Sequence, residues 1–211
     1  MRRGLIVSGG HVNHDLLLSL LNRNYDYVVA VDGGMNPLWV IHVEPDAILG
    51  DFDSCSSHAL NTFRGNKVKE IKFDVRKDST DTQLAIEHLI DLGIDEADIL
   101  GATGTRFDHG LANVMLLFKY NDRIKLTLVD ENNQIFVAEG LMTIEKGSYK
   151  YFSLLPISEL VSGVSLKGVA YPLEFQTLKR ESSFAISNEI TGEMATLSFE
   201  SGQLLVIQSN D

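Results

Sequence analysis

The sequence predicts an α/β fold in two parts: an N-terminal three-layer α/β domain on a parallel sheet, residues 1–130, and a C-terminal antiparallel β-sandwich, residues 131–211. Two observations predict it. Up to residue 130, short apolar segments alternate with helical patterns, which is typical of a parallel sheet covered by helices on both faces. After residue 130, short strand patterns follow one another without helices, broken by Gly, Asn, Ser and Pro. No repeat or low-complexity linker separates the two parts.

The first part contains six predicted strands, and several of them end in small or acidic residues. They are GLIVSGG, YVVAVDGG, AILGDFDS, KVKEIKFD, ADILGATG and KLTLVD. Helices are predicted at residues 15–21, briefly after Pro37, at 81–92 and at 111–120. The pattern at 81–92 is the clearest, because five residues of it fall on one helical face: Leu84, Ala85, His88, Leu89 and Leu92.

The second part is predicted to consist of strands alone. The segments are NNQIFVAEG, YKYFSLL, SGVSLKG, ESSFAISNEI, MATLSFESG and QLLVIQS. The segments are short, and turn residues separate them at regular intervals. This pattern favours two packed antiparallel sheets.

Composition limits the classes of function. Hydrophobic residues make up 44% of the 211 residues and charged residues 22%, a balance typical of globular proteins. The formal net charge of −11 argues against a nucleic-acid backbone as partner. No apolar run approaches the roughly 20 residues of a membrane span, and the start, MRRGLIVSGG, lacks a signal-peptide core. With Cys55 as the one cysteine, we expect a cytoplasmic protein without a membrane partner.

Aspartates follow four consecutive strands of the first part, from the second strand to the fifth. Turn and capping chemistry would explain a single cluster of this kind. In an open parallel sheet, however, the carboxyl ends of the strands meet at one edge, where ligands bind. An anionic ligand at such an edge would need a divalent cation, and oxygen ligands favour Mg²⁺. The aspartates are Asp32, Asp51, Asp53, Asp78, Asp81 and Asp108.

Two of these segments also resemble places where phosphate groups bind. In DSTDTQ, Thr80 and Gln83 fit a capping box, which puts Asp81 in the first helical turn beside free backbone N–H groups. GATGTRFDHG is a glycine-containing turn between a strand and a helix, and its backbone N–H groups could cradle phosphate oxygens. Arg106 adds a forked donor of the kind that suits phosphate.

Taken together, these motifs resemble the thiamine pyrophosphokinase family over nearly the whole chain. The matching segments are VDGG, GDFDS, KDSTDTQLAI, GATGTRFDHGLAN and a late YPL…SN, in that order. The resemblance implies an α/β domain that binds ATP and Mg²⁺ and a β-sandwich that binds thiamine. It implies transfer of the β,γ-pyrophosphoryl group of ATP to the hydroxyl of thiamine, with release of AMP. It also implies a homodimer.

The resemblance assigns roles to individual residues. Catalytic roles fall on Asp51, Asp53, Asp81 and Asp108, and we assign to Asp108 the proton of the thiamine hydroxyl. Metal ligation falls on Asp32, Asp51, Asp53 and Asp81. ATP and phosphate binding falls on Asp32, Gly33, Gly34, Asp78, Ser79, Thr80, Thr103, Gly104, Arg106 and His109. Thiamine binding falls on Tyr171, Ser187 and Asn188.

Two other classes of function remain open at this point. The same aspartate edge could serve a different metal-dependent phosphotransferase or phosphohydrolase, or the chain could be a non-catalytic thiamine or nucleotide sensor. If the chain has the activity that the resemblance implies, its acidic motifs all precede residue 110 and its thiamine residues lie in the β-domain. No long linker separates the two groups. We therefore expect active sites shared between the two chains of a dimer.

Overall fold

The computed structural model describes residues 1–72 and 79–211. The chain divides into two compact units, Met1–Glu131 and Asn132–Asp211, so the division lies one residue beyond the expected boundary. Unit 1 carries all the described helices and a parallel sheet, and unit 2 carries antiparallel strands. The predicted fold class is confirmed.

Unit 1 alternates strands and helices. Its strands are β1 (Arg3–Val7), β2 (Tyr27–Val31), β3 (Ala47–Leu49), β4 (Lys69–Ile71), β5 (Glu96–Leu100) and β6 (Lys125–Val129). Its helices are α1 (His14–Leu21), α2 (Met35–Val40), α3 (Ser57–Gly65), α4 (Asp81–Asp91) and α5 (Phe107–Tyr120), and one 3₁₀ turn (Asp32–Gly34) joins β2 to α2.

The six strands of unit 1 pair in parallel in the order β4-β3-β2-β1-β5-β6. Side chains on β1 alternate between two layers of helices. Leu5 and Val7 belong to the cluster formed with α1, α2 and α3, whereas Gly4 lies against Leu89 of α4. Because β1 is central and buried on both faces, its sequence is an unbroken apolar run rather than an alternating one.

Unit 2 consists of seven antiparallel strands in two sheets. The strands are β7 (Asn133–Val137), β8 (Leu141–Glu145), β9 (Tyr151–Pro156), β10 (Leu160–Lys167), β11 (Leu173–Lys179), β12 (Met194–Ser198) and β13 (Leu204–Ser209). They pair in the orders β7-β13-β9 and β11-β10-β12-β8. Phe152 and Val206 from the first sheet share one buried cluster with Val164 and Leu197 from the second, which is the core of a sandwich.

Several elements differ from the sequence prediction. Helix α3 and strands β8 and β11 were not predicted. Residues 181–190, predicted as a strand, form turns with isolated bridges at Asn188 and Ile190, because Ser187 takes a φ of +58° that an extended strand cannot contain. Helix α5 begins at Phe107 rather than at Leu111. Within residues 1–72 and 79–211, no helix has both the length and the hydropathy that a membrane span needs.

Gly34 gives a direct test of the packing between the first two strands. A Cβ at this position would lie 1.9 Å from the carbonyl oxygen of Val7, which is backbone and cannot rotate away. Gly34→Ala should therefore lower the free energy of unfolding by at least about 2 kcal/mol, measured by urea denaturation. Gly65→Ala is the matched control, because a Cβ there meets nothing within 4 Å. Equal stability of the two variants would contradict this packing.

Candidate functional site

The candidate site is a cleft at the carboxyl ends of the strands of unit 1. The chain runs from β1 outward to β4 and then returns to place β5 on the other side of β1, and ligands bind at such a reversal of strand order. The cleft has a volume of about 520 Å³, which is in the range of small-molecule sites. Its walls come from the segments after β1, β2 and β5 and from the first turns of α4 and α5.

Asp32 lines this cleft and has a strained backbone conformation. Its φ is +44°, a left-handed value that costs a residue with a side chain free energy. The backbone N–H of Phe52 donates to its Oδ1 at 3.1 Å. Gly50 makes room for the carboxyl, since a Cβ there would lie 1.8 Å from Asp32 Oδ1.

The surroundings of Asp32 disfavour its charged form. Burial raises the pKa of its carboxyl to about 7, and the carboxylates of Asp81 and Asp51 add to the rise, while the Phe52 N–H acts in the opposite direction. Asp81 is also close enough to share a hydrogen bond with Asp32. At neutral pH the pair therefore favours holding a proton, or another positive charge, between its carboxyl groups.

The GDFDS motif presents two carboxylates on either side of a half-buried ring. Phe52, at a φ of +67°, packs against the core of unit 1, and Asp51 and Asp53 are exposed. The N–H of Asp53 donates to Asp51 Oδ1 at 3.1 Å, and the Ser54 hydroxyl donates to Asp53 Oδ1 at 2.5 Å. The ring thus anchors a turn that directs two carboxylates outward after β3.

Helix α4 brings Asp81 to the cleft at its N-terminus. Thr80 is the N-cap, and its Oγ1 accepts from the N–H of Gln83 at 3.3 Å. The Gln83 side chain donates to Ser79 Oγ at 3.1 Å, so only half of the predicted capping box forms. Thr80 and Asp81 line the cleft. Asp78, which was predicted to bind phosphate, lies outside the described residues.

The predicted phosphate-binding glycines after β2 have a packing role. Gly34 contacts Val7, and a Cβ on Gly33 would lie 3.3 Å from Gly9. The sequence SGG after β1 mirrors DGG after β2, and this likeness is the signal that could have identified Ser8, Gly9 and Gly10 as cleft residues. The hydroxyls of Ser8 and Thr82 lie 3.1 Å apart and also line the cleft.

The loop after β5 and the first turn of α5 contribute four predicted residues to the cleft: Thr103, Gly104, Arg106 and His109. Thr103 Oγ1 donates to Asp130 Oδ2 at 2.7 Å. A Cβ on Gly104 would meet nothing within 4 Å, so the fold does not require glycine there. A buried residue of α5 that was not predicted, Asn113, donates from Nδ2 to the carbonyl oxygen of Ala102 at 2.7 Å.

Arg106 and Asp108 form an exposed two-bond ion pair. The Nη2 of Arg106 lies 2.6 Å from Asp108 Oδ2, and its Nε lies 3.2 Å from Oδ1. The hydrogen bonds from Arg106 lower the pKa of Asp108 to about 2. A carboxylate with so low a pKa is a weak proton acceptor, so this arrangement disfavours Asp108 as the base that takes a hydroxyl proton.

The predicted thiamine residues come together within unit 2. Asn188 is buried, and its amide is bonded to the backbone of Tyr171 in both directions: Nδ2 donates to the carbonyl oxygen at 2.7 Å and Oδ1 accepts from the N–H at 3.0 Å. Tyr171 is 71% exposed. The N–H of Ser187 donates to Ser153 Oγ at 3.0 Å. Asn188 is thus placed to hold Tyr171 rather than to contact a ligand with its own amide.

The four aspartates predicted to bind a metal are not gathered into one tight group. In residues 1–72 and 79–211, no three His, Cys, Asp or Glu side chains lie close enough together to hold a metal ion by themselves. Asp81 and Asp51 are nevertheless near enough to Asp32 to act on its carboxyl electrostatically.

The raised pKa of Asp32 predicts how the stability of the cation-free protein depends on pH. An unfolded Asp titrates near pH 4 and Asp32 titrates near 7 in the folded chain, so the folded state binds the proton more tightly. Stability should fall as pH rises through this window and stay lower above it. Asp32→Asn removes the titration, and its Oδ1 can still accept from Phe52. In EDTA, its Tm relative to wild type should rise between about pH 5 and 8.

The control for this comparison is Asp122→Asn, at an exposed aspartate of the same unit. Its melting curve should stay parallel to that of the wild type at every pH. A constant Tm difference between Asp32→Asn and the wild type from pH 5 to 8 would contradict this prediction. It would show that folding does not disfavour the charged form of the Asp32 carboxyl.

Comparison with known proteins identifies the family. The family model described as thiamin pyrophosphokinase, catalytic domain, matches residues 18–128. The one described as thiamin pyrophosphokinase, vitamin B1 binding domain, matches residues 141–204. The thiamine pyrophosphokinase of Bacillus subtilis (strain 168) is 33% identical over 209 residues, which cover 98% of each chain.

Solved structures agree with these matches. The thiamine pyrophosphokinase structure from Bacillus subtilis has a TM-score of 0.89 at 30% identity and covers 100% of both chains. The thiamin pyrophosphokinase structure from Geobacillus thermodenitrificans has a TM-score of 0.86 at 30% identity, covering 100% of this chain and 98% of that one. With two family models matched along its length and a relative 33% identical over nearly all of it, this chain belongs to the thiamine pyrophosphokinase family of enzymes.

Proposed function

We propose that this enzyme transfers the pyrophosphoryl group of ATP to the hydroxyl of thiamine, giving thiamine diphosphate and AMP. The observation that carries the proposal is the Asp32 carboxyl, which lines a cleft of about 520 Å³. Its charged form is disfavoured by burial and by Asp81 and Asp51. A site of this kind favours a ligand that arrives with a divalent cation, as ATP does.

The donor set fits Mg²⁺. Carboxylate oxygens are the ligands this ion prefers, and it is usually held by one or two carboxylates together with water and substrate phosphates rather than by a complete protein cage. The absence of a three-residue group in the described ranges agrees with such a shared site. Asp32 and Asp81 would hold the ion, with Asp51 and Asp53 beside them. When bound, it would neutralise the charge of the phosphates and orient them.

The residues of unit 1 would bind and position the nucleotide. Phosphoryl-type transfer depends on positioning and charge neutralisation more than on covalent chemistry. Arg106 lies at the cleft with its guanidinium already fixed by Asp108, and an arginine held in this way loses less side-chain entropy when it meets a phosphate oxygen. We therefore assign Asp108 to positioning Arg106 instead of to proton transfer.

Tyr171 would provide an aromatic surface for thiamine. Thiamine is a cation, and an exposed ring can stack on a cationic heterocycle. The double hydrogen bond from Asn188 fixes the backbone of Tyr171, and the exposed Ser187 follows in the adjacent turn. Unit 2 would thus supply the binding surface for thiamine, and unit 1 would supply the binding surface for the nucleotide.

We place the complete site between two copies of the chain. The acidic motifs and the Tyr171 group belong to separate compact units, and a two-fold dimer could set each β-sandwich over the partner's cleft. Helix α5 supports association, because Phe107, Leu111 and Met115, four residues apart, expose an apolar stripe beside the cleft-lining His109.

The nucleotide product tests the reaction. With Mg²⁺, ATP and thiamine, chromatography should show AMP and thiamine diphosphate in equal amounts, and no AMP without thiamine. Asp53→Asn should lose nearly all turnover at an unchanged Tm, because its carboxylate is exposed and packs against little. Asp122→Asn is the matched control and should keep full activity. AMP or phosphate release that does not need thiamine would favour a hydrolase, and binding without turnover would favour a sensor.

Mixed dimers test the shared site. Asp81→Ala and Asn188→Ala should each be inactive alone. After the two are unfolded and refolded together, half of the dimers are hybrids with one intact site of two, so roughly a quarter of wild-type activity should return. Each variant refolded alone provides the baseline. Hybrid dimers that are present by mass spectrometry yet inactive would mean that each chain builds its own site.

A further inference from the structure

The turn that carries Asp51 and Asp53 depends on an unfavourable backbone conformation at Phe52. Its φ of +67° lies in the left-handed region, which a bulky side chain rarely adopts and which persists only where the surroundings impose it. Because Asp51 and Asp53 are the chain neighbours of Phe52, a change in this conformation would redirect both carboxylates. Whatever holds Phe52 therefore also holds two carboxylates that we place beside the cation.

Two hydrogen bonds hold the backbone of Phe52. Its N–H donates to Asp32 Oδ1 at 3.1 Å, and its carbonyl oxygen accepts from the Cys55 thiol at 3.3 Å. Both bonds involve the main chain of Phe52 and not its ring. The ring packs against the buried cluster of unit 1, but the residue remains partly accessible, so the core alone does not enclose it.

A further group lies against the ring, namely the guanidinium of Arg64 in the last turn of α3. Its Cζ lies over the ring at 5.6 Å from the centroid, a distance at which a cation is attracted to an aromatic face. The helix dipole favours a basic residue in the last turn of any helix, but a lysine would satisfy the dipole equally well. The contact with the ring needs a more specific explanation.

Arg64 is itself fixed by Glu70 of β4. Its Nε donates to Glu70 Oε1 at 2.8 Å and its Nη2 donates to Oε2 at 3.2 Å, a forked pairing that lysine cannot form. The hydrogen bonds from Arg64 lower the pKa of Glu70, so this carboxylate stays ionised at neutral pH. Since exposed ion pairs add little to stability, we explain this pair by the ring that it holds.

We infer that Arg64 is a positioning residue for the proposed reaction. Held by Glu70, it contacts the Phe52 ring and so keeps the GDFDS turn in the conformation that directs its two carboxylates outward. The path of contacts runs from β4 through the last turn of α3 to the turn after β3. This inference rests on the proposed function, because it concerns the carboxylates placed there beside the cation.

The contribution of the cation to nucleotide binding measures this effect. Calorimetry gives the Kd of the α,β-methylene analogue of ATP in EDTA and in Mg²⁺, and the ratio of the two values is the gain in affinity that the cation provides. Arg64→Lys keeps the positive charge but loses the fork, so this gain should fall about tenfold while the Kd in EDTA stays unchanged. With ATP and thiamine, kcat should fall by a similar factor and the KM for thiamine should not change.

The matched control is Arg23→Lys. Arg23 is another exposed arginine of unit 1, and its Nη1 lies 3.6 Å from Asp98 Oδ2. This variant should keep the wild-type gain from Mg²⁺ and the wild-type kcat. Both lysine variants should melt close to the wild type, because each alters an exposed ion pair.

A double-mutant cycle shows whether Arg64 acts through the ring. Phe52→Leu keeps an apolar side chain but removes the aromatic face, so Arg64→Lys should cause no further loss in this background. If Phe52→Leu does not fold, Glu70→Gln replaces it in the cycle. Glu70→Gln removes the carboxylate that holds Arg64, so it should lower the gain by itself, and adding Arg64→Lys should lower it little more.

Two results would overturn the inference. One is an unchanged gain from Mg²⁺ in Arg64→Lys, and the other is a loss of the same size from Arg64→Lys in both backgrounds of the cycle. Failure of the proposed function looks different: the gain would fall as expected, but the wild type would form no AMP from ATP and thiamine. A wild type whose affinity for the analogue does not improve with Mg²⁺ would reject both proposals.

Discussion

The candidate site depends on where the fold places the carboxyl of Asp32. That carboxyl occupies space that a side chain at position 50 would need, since a Cβ on Gly50 would lie 1.8 Å from its Oδ1. Its own backbone is held at a φ of +44°, a conformation that persists only where the surroundings impose it. The turn that carries it closes onto β1 because Gly34 has no side chain to meet Val7. The absence of a Cβ at Gly34 and Gly50 thus fixes one carboxyl group at the edge of the sheet.

The electrostatic consequence of this placement is a preference for positive charge beside Asp32. Burial and the neighbouring carboxylates of Asp81 and Asp51 make the ionised form of Asp32 unfavourable. A positive charge close to these carboxylates is therefore favoured. A nucleotide that carries a divalent cation on its phosphates, as proposed above, would meet this preference.

Strand ends and their aspartates could be predicted from the sequence because they depend on local patterns and on a general property of parallel sheets. Roles that depend on whether a side chain donates or accepts a hydrogen bond could not be predicted from the sequence. Whether Thr103 donates or accepts is decided by Asp130, 27 residues away, and Asn188 is bonded to Tyr171, 17 residues away. Helix α3 was missed because few apolar residues mark its face, although Ser56 caps it. Hydrogen bonds between residues distant in sequence, and helices with a weak amphipathic pattern, cannot be predicted from local sequence patterns.

The most direct test is the position of the cation in a crystal grown with Mn²⁺ and the α,β-methylene analogue of ATP. This analogue cannot be cleaved between its α- and β-phosphates, where pyrophosphoryl transfer would break ATP. Anomalous scattering locates Mn²⁺ without reference to any expectation. We predict one strong peak between the Asp32 and Asp81 carboxylates and the phosphates. A peak away from Asp32 and Asp81 would contradict the proposed cation site.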